Sequence, residues 1–172
     1  AGNIGIGHTR WATHGEPSEA NAHPHQSGDR IYLVHNGIID NARELRDDLI
    51  NVGYEFGSKT DSEVIAHAIH HFVTTQGLDL LSAIKAVRQQ FEPGSSYAIA
   101  VIDAQLPEQI VVACDRSPLV FAKGNDGHYI ASDPSALPTD CSSFTIFKDG
   151  DIACISRQSI DIFDSNGNSV SR

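Results

Sequence analysis

The sequence predicts an α+β domain of 172 residues, and two observations along the chain carry that prediction. Between residues 41 and 91 apolar side chains recur at three- and four-residue spacing, the signature of amphipathic helices; after Pro93-Gly94 the period falls to two or to short apolar runs. Helices gathered in one stretch and strands in the next give antiparallel sheets with helices packed on the outside. Composition agrees, since 40% hydrophobic and 20% charged residues are enough to bury a core and too few charges for a disordered chain.

Element by element, Ile4-Gly5-Ile6-Gly7-His8-Thr9-Arg10 alternates as a strand does and runs into Trp11-Ala12-Thr13-His14-Gly15. Glu16 to Arg30 is Pro, Ser, Asn, His, Gly and Gln with almost no apolar side chains, a loop of about 15 residues of the kind that usually carries function. Ile31 to His35 is a short buried strand, and Asn36-Gly37 reads as a turn. The first helix spans Asn41 to Val52, with Ala42, Leu45, Leu49 and Val52 on one face and Gly53 as its C-cap. Thr60-Asp61-Ser62-Glu63 has capping-box form and starts a second helix ending near Thr75. On its wheel Val64, Ile65, Ala68, Ile69, Phe72 and Val73 share one side; Glu63, His67, His70 and His71 share the other, a solvated face assigned no chemistry. Asp79 caps a third helix with Leu80, Ala83, Ile84, Val87 and Phe91 as its apolar face. Seven strands follow, over 97–103, 110–114, 119–123, 129–132, 144–147, 152–156 and 160–163, with turns at Asn125-Asp126-Gly127 and Asn166-Gly167.

Charge and cysteine content exclude several functions. Twelve Lys and Arg against 22 Asp and Glu give a net charge of −10, a field that repels phosphate backbones, so no nucleic-acid partner is expected. No apolar run approaches the roughly 18–20 residues of a membrane span. Cys114, Cys141 and Cys154 are an odd set without metal or redox spacing, each in or beside an apolar stretch, which fits a reducing cytosol and no disulfide framework. The sequence has no methionine and opens on Ala1-Gly2-Asn3, so a trimmed piece of a longer protein is expected.

Chemistry concentrates near the start. Five of nine histidines (His8, His14, His23, His25 and His35) lie in the first 35 residues, interleaved with Arg10, Trp11, Thr13 and Asn36-Gly37. Three readings fit. Histidines could ligate a metal ion in a metal-dependent hydrolase, although no HExxH or cysteine knuckle supports the spacing. A small amino-acid ligand could be bound instead, with or without turnover: Arg10 clamps a carboxylate, Asp61 accepts from an ammonium, and Asn36 with the Gly37 N–H donates to an oxyanion. In a purely structural reading Arg10 makes a surface ion pair, Asn36-Gly37 turns the chain and Asp61 caps a helix; the clustering in one Gly/Pro-punctuated loop weighs against it.

The strings His8-Thr9-Arg10-Trp11-Ala12-Thr13-His14-Gly15-Glu16-Pro17-Ser18, Asn21-Ala22-His23-Pro24-His25 and Val34-His35-Asn36-Gly37-Ile38-Ile39 add a resemblance. Together with Thr60 to His67, Ser117-Pro118-Leu119, Ile130 to Asp133 and Gly150 to Ala153, they resemble the class II glutamine amidotransferase domain of the glutamine–fructose-6-phosphate aminotransferases (glucosamine-6-phosphate synthases) along essentially the whole chain. The resemblance implies an Ntn-hydrolase fold, a four-layer αββα sandwich with stacked antiparallel sheets. It implies hydrolysis of L-glutamine to L-glutamate and ammonia, without a cofactor, the ammonia passing to a sugar isomerase domain that binds fructose 6-phosphate. It places Arg10 on the substrate carboxylate, Asp61 on its ammonium, Thr13 and His14 in the same pocket, Trp11 on the ammonia path, and Asn36 with Gly37 in the oxyanion hole. The family's nucleophile is an N-terminal cysteine whose own amine is the base; this sequence opens on alanine and has no cysteine before Cys114. Residues 1–172 are therefore expected to be the C-terminal part of such a domain, lacking its N-terminal strands and the isomerase domain. Alone it is expected to be inactive and to self-associate through uncovered sheet edges.

Overall fold

The computed structural model describes residues 3–10 and 16–172. The elements are β1 (His25–Ser27), β2 (Ile31–Ile38), α1 (Ala42–Asn51), α2 (Asp61–Thr75), α3 (Leu80–Arg88), β3 (Ser96–Asp103), β4 (Gln109–Asp115), β5 (Val120–Lys123), β6 (His128–Ala131), β7 (Thr145–Ile146), β8 (Ile152–Ser156), β9 (Ile160–Phe163) and β10 (Ser169–Val170). Two antiparallel sheets result, a seven-stranded one in the order β1-β2-β3-β4-β8-β9-β10 and a three-stranded one in the order β6-β5-β7.

The helices are cut where local chemistry says they should be. Thr60 Oγ1 accepts the Glu63 N–H, and Asp79 accepts the Ser82 N–H, so each caps the helix that follows it. After α1 the chain reverses at Gly53, whose φ of +97° suits a residue without a Cβ. α2 packs on β1 and β2, α3 on β4 and β8, and α1 on α2, so all three helices cover the same face of the large sheet.

That arrangement makes two cores. Between helices and large sheet lie Ile31, Leu33, Ile65, Ile69, Ile84 and Ile99, each at most 1% exposed. Fully burying such a side chain contributes about 1.5–3 kcal/mol. Between the two sheets lie Ala98, Val112, Cys114, Leu119, Phe147 and Ile162. The helical layer and the two stacked sheets of the expected sandwich are thus in place. On the far side of the small sheet no α-helix stands among the described residues.

Three local expectations need correction. Ile4 to Arg10 belongs to no strand, because alternation makes a strand only where a partner edge pairs with it. The polar segment 16–30 is more ordered than a loop, holding a 3₁₀ turn at Glu19–Asn21 and the edge strand β1. Asn36-Gly37 does not turn the chain: β2 continues to Ile38, with Asn36 opposite Ala98 and Gly37 opposite Tyr97 on β3.

Candidate active site

Gly37 shows why a turn-like dipeptide sits inside a strand. Its φ is +129°, and a Cβ there would stand 2.0 Å from the Ser96 carbonyl oxygen and 2.8 Å from Tyr97 Cα. Glycine is required by the close approach of β3. Alternation along β2 then sorts the side chains. Ile31, Leu33 and His35 face the helices, while Val34 and Asn36 face the small sheet and line a cavity of about 230 Å³ whose walls also include Gly5, His8, His128 and Ser132. Arg10, Gly37 and Asp61 do not line that cavity.

On the helix side His35 Nδ1 is 3.0 Å from Ser62 Oγ and 3.7 Å from Asp61 Oδ1. Asp61 opens α2, and its Oδ2 accepts the Ile39 N–H at 3.0 Å, which ties the helix start to the residue just past β2. On the other side the His8 ring stands between the remaining candidates: Nδ1 accepts the Arg10 N–H at 2.9 Å, and Nε2 lies 2.5 Å from Asn36 Oδ1. Arg10 adopts a left-handed φ of 52°, and its guanidinium donates to the Glu16 carbonyl at 3.2 Å. Arg10, Asn36, Gly37 and Asp61 are therefore all anchored at the C-terminal end of β2. Trp11, Thr13 and His14 lie outside the described residues.

The histidines near this strand end bind one another and their hydroxyl neighbours. The His8 and His23 rings stack at 4.3 Å between centroids, 20° from parallel, and His23 meets His25 edge-on at 4.9 Å. His23 Nδ1 accepts the His35 N–H, and His25 Nε2 is 3.0 Å from Thr60 Oγ1. Burial, reinforced by the neighbouring His8, His25, His35 and Arg10, lowers the His23 pKa to about 3. Burial likewise lowers His35 to about 4 against the opposing pull of Asp61, and lowers His25 against Glu63 and Asp61. At neutral pH these three are uncharged imidazoles. Among the described residues, which do not include His14, no group of three or more His, Cys, Asp or Glu is arranged to hold a metal ion.

The polar face of α2 is another correction. Glu63 and His67 are buried, not solvated. The Glu63 carboxylate accepts the Gly57 and Ser58 N–H groups and the Ser58 hydroxyl at 2.6–2.8 Å, and His67 Nε2 lies 3.6 Å from it. His67 Nδ1 is 2.7 Å from Ser27 Oγ on β1. A helical wheel separates polar from apolar positions, but it cannot show that neighbouring segments bring partners to the polar ones. His8 and His35 stand out in the sequence as members of the N-terminal histidine cluster, but their contacts with Asn36 and with Ser62 and Asp61 do not, and Ser62 is marked only by its place after Asp61.

None of the three cysteines is activated. Burial pushes the Cys114 thiol up to about 12, helped by the carboxylates of Asp151 and Asp149, and the Cys141 and Cys154 thiols are raised as well.

The sequence pattern of a glutamine amidotransferase domain matches residues 8–139, well over half of the chain. The chain belongs to the glutamine amidotransferase family. Among curated relatives, this amidotransferase chain is 52% identical over 171 residues to the glutamine–fructose-6-phosphate aminotransferase [isomerizing] of Idiomarina loihiensis, covering 99% of this chain and 28% of that protein. It is 48% identical over 172 residues to the same-named protein of Shewanella oneidensis, again covering 28% of it. The chain thus spans little more than a quarter of the length of these relatives. Among solved structures, the glutamine phosphoribosylpyrophosphate amidotransferase of B. subtilis, complexed with ADP and GMP, superposes with a TM-score of 0.72 at 24% identity, over 94% of this chain and 35% of that one. A predicted glutamine amidotransferase from Pseudomonas aeruginosa PA01 gives 0.56 at 13% identity, over 90% of this chain and 66% of that one. At these identities the likeness concerns the fold, which is the stacked-sheet Ntn-hydrolase architecture of class II amidotransferases.

Proposed function

We propose that this chain is part of the glutaminase domain of a glutamine–fructose-6-phosphate aminotransferase, a cytoplasmic enzyme whose sugar isomerase domain receives the ammonia released from L-glutamine. The observation that carries the reading is the gathering around the end of β2 of Asn36-Gly37, of Asp61, whose carboxylate accepts the Ile39 N–H, and of Arg10, whose backbone N–H is tied to Asn36 through His8. Those groups match the carboxylate, the reacting carbonyl and the ammonium of an amino acid bearing a side-chain amide.

Arg10 binds the substrate α-carboxylate and Asp61 its α-ammonium. The attacking thiolate belongs to the N-terminal cysteine that the resemblance implies, since Cys114, Cys141 and Cys154 are held as thiols. It adds to the carboxamide carbon, and the oxygen that gains the electron pair accepts hydrogen bonds from the Asn36 Nδ2 amide and the Gly37 N–H. Collapse of this adduct breaks the C–N bond, the nitrogen leaves as ammonia with a transferred proton, and water hydrolyses the resulting thioester to L-glutamate. The resemblance assigns Thr13 and His14 to glutamine binding and Trp11 to the passage of ammonia; all three lie outside the described residues. Each oxyanion donor is worth roughly 10²–10³-fold in rate. In the intact enzyme Asn36→Ala is expected to lower kcat for glutamate release from glutamine by about that factor, with little change in KM. An unchanged kcat would remove Asn36 from the oxyanion hole.

A further inference from the structure

We propose that His8 is a positioning residue for catalysis: it orients the Asn36 carboxamide so that its N–H₂ end, and not its oxygen, is presented to the oxyanion. The inference rests on the glutaminase reading and assigns a function to a side chain that binds no substrate atom.

The argument is one of proton inventory. The Arg10 backbone N–H, 2.9 Å from His8 Nδ1, can only donate. Nδ1 must therefore carry a lone pair, and the proton of a neutral imidazole is on Nε2. That Nε2–H is 2.5 Å from the Asn36 side chain and needs an acceptor, which the amide supplies only through Oδ1. A flipped amide would set an N–H₂ against an N–H. The direction of one backbone donor is thus passed through the imidazole to the carboxamide, and Nδ2 becomes the end turned away from His8. The donor is the Arg10 backbone, whereas the Arg10 guanidinium is held separately by the Glu16 carbonyl, so the ring sets the oxyanion donor and not the carboxylate clamp.

The ring itself is held. His8 is half-buried and stacks on His23, whose Nδ1 accepts the N–H of His35, the residue before Asn36 in β2. His23 Nε2 is 3.4 Å from Ser62 Oγ, which is also 3.0 Å from His35 Nδ1 and neighbours Asp61 in the chain. Rotation of His8 would break the stack as well as the two hydrogen bonds, which is the support a preorganised donor requires.

The test is a double-mutant cycle on glutaminase kinetics in the intact enzyme, with His8→Ala, Asn36→Ala and the double variant. His8→Ala is expected to lower kcat roughly tenfold or more while KM for glutamine stays within about threefold, because the oxyanion exists only after attack. In the Asn36→Ala background the same change is expected to cost almost nothing. A loss from His8→Ala that persists undiminished in that background, or no loss at all, overturns the positioning role and leaves the glutaminase reading standing. An Asn36→Ala variant with unchanged kcat takes Asn36 out of the oxyanion hole and overturns the positioning role with it, whereas no glutamate release from glutamine by the intact enzyme overturns the glutaminase reading. Should His8→Ala not fold, His8→Gln against His8→Asn decides, since glutamine can place an N–H at the Nε2 position and asparagine cannot: retention of kcat by Gln alone supports the role, and equal rates refute it.

Discussion

Within hydrogen-bonding distance of the residues proposed to touch substrate stand residues that do not, and Gly37 and its surroundings show how little freedom either set has. A Cβ at Gly37 would lie 2.0 Å from a backbone oxygen of the neighbouring strand, at a φ that L-residues rarely adopt. Gly37→Ala is therefore expected to cost on the order of 3 kcal/mol or to prevent folding, read as a fall in the urea midpoint. A midpoint within about 0.3 kcal/mol of the parent would mean that β3 can move aside. The identity of this residue was legible in the sequence, but its reason was not. Asn-Gly is the commonest turn signal, and the same glycine is demanded wherever two backbones meet this closely. Residue typing distinguishes these two uses only when the opposing strand is known.

Local rules worked best at the scale of the element. The caps Thr60 and Asp79, the stop at Gly53 and most strand spans follow from residues within four positions of each boundary, which is the range over which sequence patterns act. The polar side of α2 failed for the complementary reason. Ser27, Gly57 and Ser58 lie in segments whose approach no helical period encodes, yet they convert Glu63 and His67 into a buried hinge pin between β1, the loop before α2, and α2. Glu63→Ala leaves the Gly57 and Ser58 N–H groups without their acceptor and is expected to destabilise by about 3 kcal/mol in chemical denaturation; a change below about 0.5 kcal/mol would show that water replaces the carboxylate. Acid acts on the same region. His23 and His35 have folded pKa values of about 3 and 4, below the 6.5 of the unfolded chain, so protons bind the unfolded state preferentially as pH falls from 6.5. Glu63, held near 2 because hydrogen bonds from His67, Ser58 and Gly57 outweigh the cost of burial, adds a loss of the same sign below about 4.5. Melting temperature should therefore decline from pH 7 to 5 and more steeply below; a flat profile down to pH 5 would mean that neither imidazole is shielded as the geometry implies.

For the whole molecule, the order of layers is also an order of strength. The large sheet is gripped by helices on one side, and its strands β2, β3, β4 and β8 share the largest fully buried side chains equally with α2 and α3. The small sheet has strands of two to four residues, an edge strand β6 with no buried residue, and an exposed Ile146 on β7. Amide exchange is expected to be slowest in β2–β3–β4–β8 and at least tenfold faster in β5–β6–β7. Equal protection in both sheets would show that they open as one unit. The α+β class was legible from the change of period at Pro93-Gly94, because class depends on the sum of many local preferences. Strand order was not, since it depends on which edges meet, and the candidate site sits where they do.

The crowding at Gly37 also has a genetic face. Every single-base change in the first two positions of a glycine codon either stops translation or adds a Cβ, and every such atom would meet the Ser96 carbonyl. Among sequences that keep this strand pairing, variation at that codon should be confined to its third base, so the position would accumulate synonymous change while remaining closed to every replacement.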